Sequence, residues 1–440
     1  HFFTPSIIKY HIWNKIEIFD KKFRFKFLLK FVIMNLVISM KVREYKKVYI
    51  TLKGEKALLT GHPWVYEGEI TKCDEGIKNG DLVDITNNKD KYLGTGFYNN
   101  NSKITVRIIS RNANDLFDYD FFKRRIKYAY EMRKTALNDL NSFRVIFGEA
   151  DFLPGLTADK FNNILVVQTL SLGIEMRKDQ IFKALYEVLT EDGLKIIGIY
   201  ERNDVKIREL EGLTEYKGWY DIGLPIPDTK TIIIENNLKY LVDFENGQKT
   251  GFFLDQKYNR LMVCQIAKNK KVLDCCTHTG SFAMNAALGG ASNVTALDVS
   301  LKAIDDAKAN FELNNLKIDT VCSDVFEYLK SLEHKSEYDF IILDPPAFTK
   351  SRKTINTALK GYQELNYLGM KALPRGGYLA TASCSHFASE ELFKEAIKRA
   401  AKDAGVSLKQ IYVSGPAPDH PELWNVPETK YLKFFIFQVV

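Results

Sequence analysis

The sequence KVLDCCTHTGSF, residues 271–282, combines three patterns that decide the fold. An apolar run ends in Asp274, a short polar turn closes on Gly280, and apolar residues then recur at helical spacing from Phe282. A strand, a tight loop and a helix are expected in that order. In a doubly wound α/β sheet, this arrangement binds a nucleotide at the carboxyl ends of the strands.

Three later apolar runs also end in acidic residues, at Asp298, Asp324 and Asp344. Because parallel strands bring their carboxyl ends to one edge of a sheet, these carboxylates are expected to line that edge. Asp298 lies at about the 20-residue offset at which a carboxylate meets ribose hydroxyls. A single aspartate at a strand end is as often a helix N-cap or a turn residue, but four in register predict a ligand site.

The loop lacks the glycine fingerprint of dinucleotide-binding proteins, because Thr277 and Thr279 occupy two of the glycine positions. An acid at the start of the loop repels a pyrophosphate and suits a cofactor with a cationic amino-acid end. The pattern therefore predicts S-adenosylmethionine rather than NAD.

These motifs resemble those of class I methyltransferases, which implies a Rossmann-like α/β domain with Asp298 at the ribose and Asp324 near the adenine. Gln256 is added because the polar segment 245–256 is expected to close over the cofactor as a lid, although an ordinary turn is the alternative. The predicted cofactor-binding residues are Asp274, Thr277, Thr279, Gly280, Phe282, Asp298, Asp324 and Gln256.

The composition is that of an ordinary globular protein, and 440 residues predict two or three domains. Most of the formal net charge of +7 comes from residues 1–39, so the overall charge is weak support for RNA binding. The six cysteines show no disulfide-framework spacing, which predicts reduced thiols and a cytoplasmic protein. Cys275 and Cys276 point to opposite sides of a strand, so no metal site is expected.

Residues 1–39 are basic and apolar, but the run from Phe27 to Ser39 is interrupted by Lys30 and Asn35. It falls short of the roughly 20 residues of a membrane span. No small-residue cleavage site follows, which argues against a signal peptide. We interpret this segment as a non-native or upstream-translated extension and expect no membrane contact.

Short β runs separated by Gly, Asn and Asp turns predict a small β-barrel-like module from Met40 to about Arg111. Its segment GHPWVYEGEI, residues 61–70, resembles the entry segment of PUA domains, which bind RNA. Aromatic and basic side chains there can stack on bases and neutralise phosphates, although Trp and Tyr equally often fill a barrel. The candidate RNA-binding residues are Lys53, Lys56, Trp64 and Tyr66.

A cysteine, Cys384, ends a strand that is expected to lie beside the strand of Asp344. Methylation at carbon 5 of a pyrimidine needs this pair, because a thiolate must first add to C6 and an acid must stabilise the charge at N3. Cys384 is the predicted nucleophile and Asp344 the N3 partner. His386 could lower the pKa of the thiol, and the base that removes the C5 proton is not identified.

Several motifs together resemble the PUA-containing 23S rRNA cytosine-5 methyltransferases of the ribosomal RNA large subunit methyltransferase I type. They are GHPW (61–64), QKTGFFLD (248–255), DPPAF (344–348), SCS (383–385), DHP (419–421) and YLK (431–433). Many related RNA enzymes carry a second cysteine where Ala347 follows Pro346, so product release by a second thiol is not expected.

The resemblance covers essentially residues 40–440 and implies three domains. They are a PUA-like RNA-binding domain (40–115), an α+β linker domain (116–230) and a methyltransferase domain (231–440). It also implies 23S rRNA or a large-subunit precursor as partner, and leaves the formation of a homodimer open.

Two other functions fit the sequence. An amino-group methyltransferase would use Asp344-Pro-Pro with Phe348 to clamp an exocyclic amine and would not need Cys384. A noncatalytic RNA-binding assembly factor would bind no S-adenosylmethionine, but the intact Asp274, Gly280 and Asp298 argue against it.

Overall fold

The computed structural model describes residues 45–333, 335–349 and 351–440. The extension expected at residues 1–39 lies outside this range. No helix within the described ranges is long and apolar enough to cross a membrane.

The first module is a six-stranded sheet around a small apolar core. Its strands are β1 (Lys46–Ile50), β2 (Trp64–Tyr66), β3 (Ile70–Cys73), β4 (Leu82–Thr86), β5 (Tyr92–Tyr98) and β6 (Ile104–Ser110), in the order β2-β6-β5-β4-β1-β3. The β-type run at residues 47–52 predicts that the first strand ends at Leu52, but it ends at Ile50. The Thr51 side chain instead accepts from Gly54 N and caps a helix, α1 (Leu52–Leu59).

The second module packs helices on a five-stranded sheet with the order β11-β10-β9-β8-β7. The Asn162-Asn163 pair between two β-type runs predicts a hairpin, and the structure confirms it, since Asn162 adopts φ 55° between β8 and β9. The apolar spacing at residues 174–189 predicts one helix, but the structure has two, α3 and α4. The elements are α2 (Tyr119–Ala136), β7 (Ser142–Phe147), β8 (Leu156–Phe161), β9 (Ile164–Thr169), α3 (Leu172–Glu175), α4 (Lys178–Glu191), β10 (Gly198–Asn203) and β11 (Tyr216–Tyr220).

A two-stranded hairpin then leads into a seven-stranded sheet with helices on both faces. The hairpin consists of β12 (Lys230–Glu235) and β13 (Leu238–Asp243), and the sheet has the order β16-β15-β14-β17-β18-β20-β19. Its strands are β14 (Lys271–Cys275), β15 (Asn293–Asp298), β16 (Asp319–Cys322), β17 (Phe340–Leu343), β18 (Tyr378–Ser383), β19 (Leu408–Ser414) and β20 (Lys433–Val439). The helices are α5 (Lys257–Ile266), α6 (Ser281–Leu288), α7 (Leu301–Leu313), α8 (Val325–Ser331), α9 (Ile355–Ala372) and α10 (Glu390–Ala404).

This last sheet confirms the predicted Rossmann-like fold. Strands β14 to β18 pair in parallel. The two C-terminal apolar runs, residues 408–414 and 430–439, predict an antiparallel closing hairpin, and β20 indeed runs antiparallel to both β18 and β19. The central strand β17 is buried along its whole length, as strands covered on both faces must be. One apolar cluster fills each face, so the carboxyl ends of the parallel strands are held at one edge.

A buried ion pair stabilises the entry to this sheet. The Arg260 guanidinium in α5 donates to both carboxylate oxygens of Glu235, at 2.6 and 2.9 Å, and also to the Phe253 carbonyl. Both charged side chains are only 1% exposed. Because a buried charge without its partner is costly, the two residues depend on each other.

We expect Arg260→Met to lower the free energy of unfolding by about 3–5 kcal/mol, because it leaves Glu235 buried and unpaired. Lys302→Ala, which breaks the exposed pair with Asp306, is the control and should cost less than about 1 kcal/mol. Urea titrations of both variants measure the difference. Equal losses in the two variants would contradict the buried-pair account.

Candidate active site

The loop after β14 is built around a buried carboxylate. Thr277 Oγ1 and Ala283 N donate to Asp274 Oδ2 at 2.5 and 2.9 Å. Asp274 Oδ1 is buried and has no hydrogen-bond partner in the described structure. Burial raises the pKa of Asp274 to about 7, against the two hydrogen bonds that lower it.

The backbone of this loop is folded more tightly than most residues allow. Cys276, His278 and Gly280 all have positive φ, at 61°, 51° and 80°. A Cβ on Gly280 would lie 2.3 Å from Phe311 Cε1, so a glycine is required at that position. Two strained non-glycine residues within three positions are typical of a functional loop.

The other predicted cofactor residues lie in different surroundings. Asp298 Oδ2 accepts from His278 N at 3.0 Å, which ties the end of β15 to the loop. Asp324 accepts from the first N–H groups of α8, the capping role that was the alternative reading for such a residue. The Phe282 ring is buried and stacks on Phe434 in the core. Thr279 contributes its carbonyl oxygen to a hydrogen bond from Asn310 Nδ2.

Asp344 follows β17 and accepts a hydrogen bond from Gln256, whose Nε2 lies 3.1 Å from Asp344 Oδ2. The pKa of Asp344 is raised to about 7, first by burial and then by the negative charge of Asp255. Arg260, Lys249 and the Gln256 hydrogen bond act in the opposite direction. At neutral pH this carboxyl group is therefore divided between its protonated and ionised forms.

Asp255 is a part of this site that the sequence analysis missed. Tyr431 Oη donates to Asp255 Oδ2 at 2.6 Å, and Lys249 Nζ lies 3.6 Å from the same oxygen. The pKa of Asp255 is lowered despite its burial, chiefly because Lys249 and His420 face it. Asp255 ends no strand, so the rule that singled out the other acids did not apply to it.

The lid expected at residues 245–256 is not a free loop in its second half. Thr250, Phe252 and residues 254–256 are buried. Thr250 Oγ1 donates to Asp159 Oδ2 in β8 at 2.6 Å, and Phe252 belongs to the core of the last sheet. The apolar residues of this segment anchor it, and only residues near Lys249 remain exposed.

Cys384 lies directly after β18, which pairs with β17, so the thiol and the Asp344 carboxyl leave neighbouring parallel strands. The thiol is half-buried. Its pKa is raised by burial and then by the negative charge of Asp344, while Lys249 acts against the shift. The His386 side chain is exposed, and its effect on the pKa of the thiol stays a prediction.

The RNA-binding candidates of the first module differ in exposure. Lys53 and Lys56 are exposed on α1, and Tyr66 is exposed at the end of β2. Trp64 is half-buried, and its Nε1 donates to Glu149 Oε1 of the second module at 3.0 Å. The basic face of α2 is largely paired within the protein, since Lys123 contacts Glu187 and Glu191 and Arg124 contacts Asp115.

No group of three His, Cys, Asp or Glu side chains among the described residues is arranged to hold a metal ion. Cys275 is buried and Cys276 half-buried, and neither forms a disulfide. Burial raises the pKa values of both thiols, so they are suited to packing rather than to reaction.

Comparison with known proteins agrees with this geometry. Residues 48–111 match the PUA-like domain family, and residues 219–435 match the S-adenosylmethionine-dependent methyltransferase family. A SAM-dependent methyltransferase structure from Streptococcus mutans has a TM-score of 0.74 at 23% identity, and covers 90% of this chain and 100% of its own. SMU.776, a methyltransferase complexed with SAH, has a TM-score of 0.76 at 22% identity with the same coverage. Both solved structures share the fold of this chain.

Sequence relatives are more similar. Ribosomal RNA large subunit methyltransferase I from Pseudoalteromonas atlantica is 40% identical over 392 residues, which cover 88% of this chain and 97% of the relative. The protein of that name from Escherichia coli K12 is 37% identical with the same coverage. The resemblance stated from the motifs is thereby confirmed. This chain belongs to the ribosomal RNA large subunit methyltransferase I family of S-adenosylmethionine-dependent enzymes.

Proposed function

We propose that the enzyme methylates carbon 5 of a cytosine in 23S rRNA through a covalent bond between Cys384 and C6 of the base. The observation that supports this proposal is the placement of Cys384 and Asp344 after neighbouring parallel strands, β18 and β17. A thiol and a carboxyl at one edge of the sheet can reach opposite sides of a pyrimidine ring. This reaction, unlike methylation of an amino group, requires both groups.

The chemistry assigns a distinct task to each side chain. Cys384 Sγ forms a bond to C6, and the displaced π electrons place negative charge on the N3 side of the ring. Asp344, with its pKa near 7, is protonated often enough to donate its proton to N3 as that charge develops. The ring then carries an enamine whose C5 is nucleophilic. After the methyl group is attached to C5, N3 returns its proton to Asp344. A base then takes the C5 proton, and the C5–C6 double bond re-forms as the S–C6 bond breaks and releases the thiolate.

Bound S-adenosylmethionine supplies the methyl group as an electrophile, and the loop after β14 suits it. Asp274 Oδ1 is a buried acceptor without a described partner, which fits a donor group of a ligand. We propose that Asp274, Thr277, Thr279 and Gly280 hold the amino-acid end, with the backbone of Phe282 at the start of α6. In this proposal Asp298 binds the ribose and Asp324 lies near the adenine. Gln256, which lies beside Asp344, contacts the cofactor.

The raised pKa of Asp274 makes stability depend on pH. A carboxyl group whose pKa is higher in the folded state stabilises the fold at low pH, and this contribution is lost as the pH rises through about 7. Asp274→Asn removes the titration. Between about pH 5 and about pH 8, the free energy of unfolding of this variant should therefore fall less than that of the unchanged protein, by on the order of 1–3 kcal/mol. Urea unfolding at both pH values measures this.

The exposed Asp305→Asn is the matched control and should keep the pH dependence of the unchanged protein. If Asp274→Asn also kept it, the buried carboxyl would not titrate as described.

RNA binding is proposed for the first module. Lys53, Lys56 and Tyr66 offer exposed positive charge and an aromatic face, whereas Trp64 contributes mainly through its contact with Glu149. We propose 23S rRNA or a large-subunit precursor as substrate, the cytoplasm as compartment, and domain boundaries near residues 115 and 230. The described sheets fall between these boundaries, which supports the division.

Trapping on RNA that contains 5-fluorocytosine tests the reaction. Fluorine at C5 is not removed as a proton is, so the enzyme should stall as a covalent protein–RNA adduct when S-adenosylmethionine is present. Cys384→Ala should form no adduct and should lose methyl transfer by at least about 10³-fold. Cys322→Ala, which removes an exposed cysteine, is the control and should behave as the unchanged protein.

Methyl transfer to ordinary rRNA that survives in Cys384→Ala, with no adduct in any variant, would overturn the cytosine-C5 proposal. The amino-group reaction would then be favoured. The Phe348 ring, which that reaction would use as a clamp, packs against Tyr362 with centroids 4.6 Å apart.

A further inference from the structure

A buried lysine lies beside the segment that carries Cys384. Lys433 begins β20 and pairs in register with Ser383, the residue before the cysteine. Its Nζ donates to the carbonyl oxygens of Ser385 and Tyr431, at 2.6 and 2.8 Å. The residue is only 3% exposed. The ammonium group is therefore fixed against the backbone on the carboxyl side of Cys384.

This lysine has no carboxylate within ion-pair distance in the part of the chain that the structure describes. Two of its three N–H groups are used on carbonyl oxygens. Burial lowers its pKa to about 8, and a negative charge on Cys384 acts in the opposite direction. A buried cation without a counter-ion costs more than a methionine of similar volume would, so packing alone does not account for it.

The thiolate form of Cys384, in turn, needs a positive charge nearby to stabilise it. Burial, Asp344 and Asp255 all raise its pKa, whereas the nucleophile has to be the thiolate. Lys249 favours the thiolate, but its side chain is 48% exposed and it is already close to Asp255. The charged groups that act on Lys433 from neighbouring elements are Cys384, Lys430, Glu390 and Glu391.

We propose that Lys433 is a positioning residue whose buried ammonium group stabilises the thiolate of Cys384, an inference that rests on the proposed cytosine-C5 reaction. The thiol releases its proton to solvent while Lys433 keeps its own, so the resting pair becomes thiolate and ammonium. Sγ then forms its bond to C6 and the thiolate charge passes to the ring. When the S–C6 bond breaks, the thiolate returns to the same counter-ion.

Two substitutions separate charge from hydrogen bonding and packing. Lys433→Met removes the charge and keeps the volume, and Lys433→Gln keeps a donor for the carbonyl oxygens without the charge. Lys402→Met is the matched control, because Lys402 is an exposed lysine in α10. Alkylation of Cys384 by iodoacetamide is followed from about pH 6 to about pH 10 by mass spectrometry of the Cys384 peptide, which reports the pKa of the thiol.

Both Lys433 variants should raise the pKa of the Cys384 thiol by about one unit, which slows alkylation near neutral pH about tenfold. Lys402→Met should keep the profile of the unchanged protein. An unchanged profile in Lys433→Met and Lys433→Gln would overturn the inference, as would full recovery in Lys433→Gln, because the lysine would then serve structure alone. The assay contains no RNA, so its result is independent of the fluorocytosine test of the reaction itself.

A second observation concerns a different surface. A cavity of about 350 Å³ lies between the end of β6 and α2, away from Asp344 and Cys384. It is lined by Ser110, Arg111, Asn112, Asp115, Arg124, Arg125, Tyr128 and Phe152. The one carboxylate, Asp115, lies 3.0 Å from Arg124 and 4.0 Å from Arg125, so three guanidinium groups against one carboxylate leave this lining with an excess of positive charge.

The arginines of this cavity differ in exposure, because Arg111 and Arg124 are exposed and Arg125 is half-buried. The Arg125 guanidinium lies over the rings of Phe121 and Phe152, at 5.2 and 5.3 Å, which holds it in place. Tyr128 is 62% exposed at the rim. One fixed and two accessible guanidinium groups beside an exposed ring match a phosphodiester and its neighbouring base.

We infer that this cavity is a nucleotide subsite for a strand of the RNA substrate, with the arginines on a phosphate and Tyr128 against a base. It extends the RNA surface beyond Lys53 and Lys56. RNA is the occupant we propose, because the chain belongs to a family of ribosomal RNA methyltransferases and guanidinium groups bind phosphate in a bidentate manner.

Binding of unmodified 23S rRNA transcript at several salt concentrations tests this subsite. Arg111→Gln with Arg124→Gln should weaken binding about tenfold and reduce the slope of log K against log salt by about one to two, and Tyr128→Leu should weaken binding without changing the slope. Arg399→Gln, an exposed arginine in α10, is the control. Affinities and slopes equal to those of Arg399→Gln would overturn the inference.

Discussion

The parallel pairing of four strands is the constraint on which the site depends. Strands β15, β14, β17 and β18 lie side by side and point the same way, so the residues at or after their ends meet at one edge. Asp298, Asp274, Asp344 and Cys384 are far apart in the chain and become neighbours only through this pairing. A shift of one residue in any of these registers would move a side chain to the opposite face of the sheet.

Around that edge, the protein keeps one carboxyl group ionised and raises the pKa values of two others. Asp255 is held ionised by Lys249, His420 and Tyr431, while Asp274 and Asp344 have pKa values raised to about 7. Each buried carboxylate makes the next one harder to ionise, so the charge on Asp255 helps to keep Asp344 able to donate a proton. Neighbouring carboxyl groups with separated pKa values are typical of acid–base chemistry.

The second module takes part in holding this edge. Arg144 Nε donates to Asp159 Oδ1 at 2.7 Å, and Asp159 accepts from Thr250 on the segment that leads to Asp255. The backbone N–H of Arg144 donates to Asp419 Oδ2 at 2.8 Å, and Asp419 lies beside His420. The segment bearing Asp255 and the loop bearing His420 are thus both anchored to β7 and β8. A second module attached in this way helps to hold the segments that carry Asp255 and His420 in place.

The sequence by itself determined the class of the fold, the acids at the strand ends, the cysteine at the end of β18 and the family, because each depends on local periodicity and on motifs. Only the tertiary structure decided that Asp255 faces Asp344, that Lys433 is buried beside Cys384, and that the segment before α5 is anchored instead of free. These properties depend on pairs of residues that are distant in the chain and on the loss of water around them. Local patterns contain no such information.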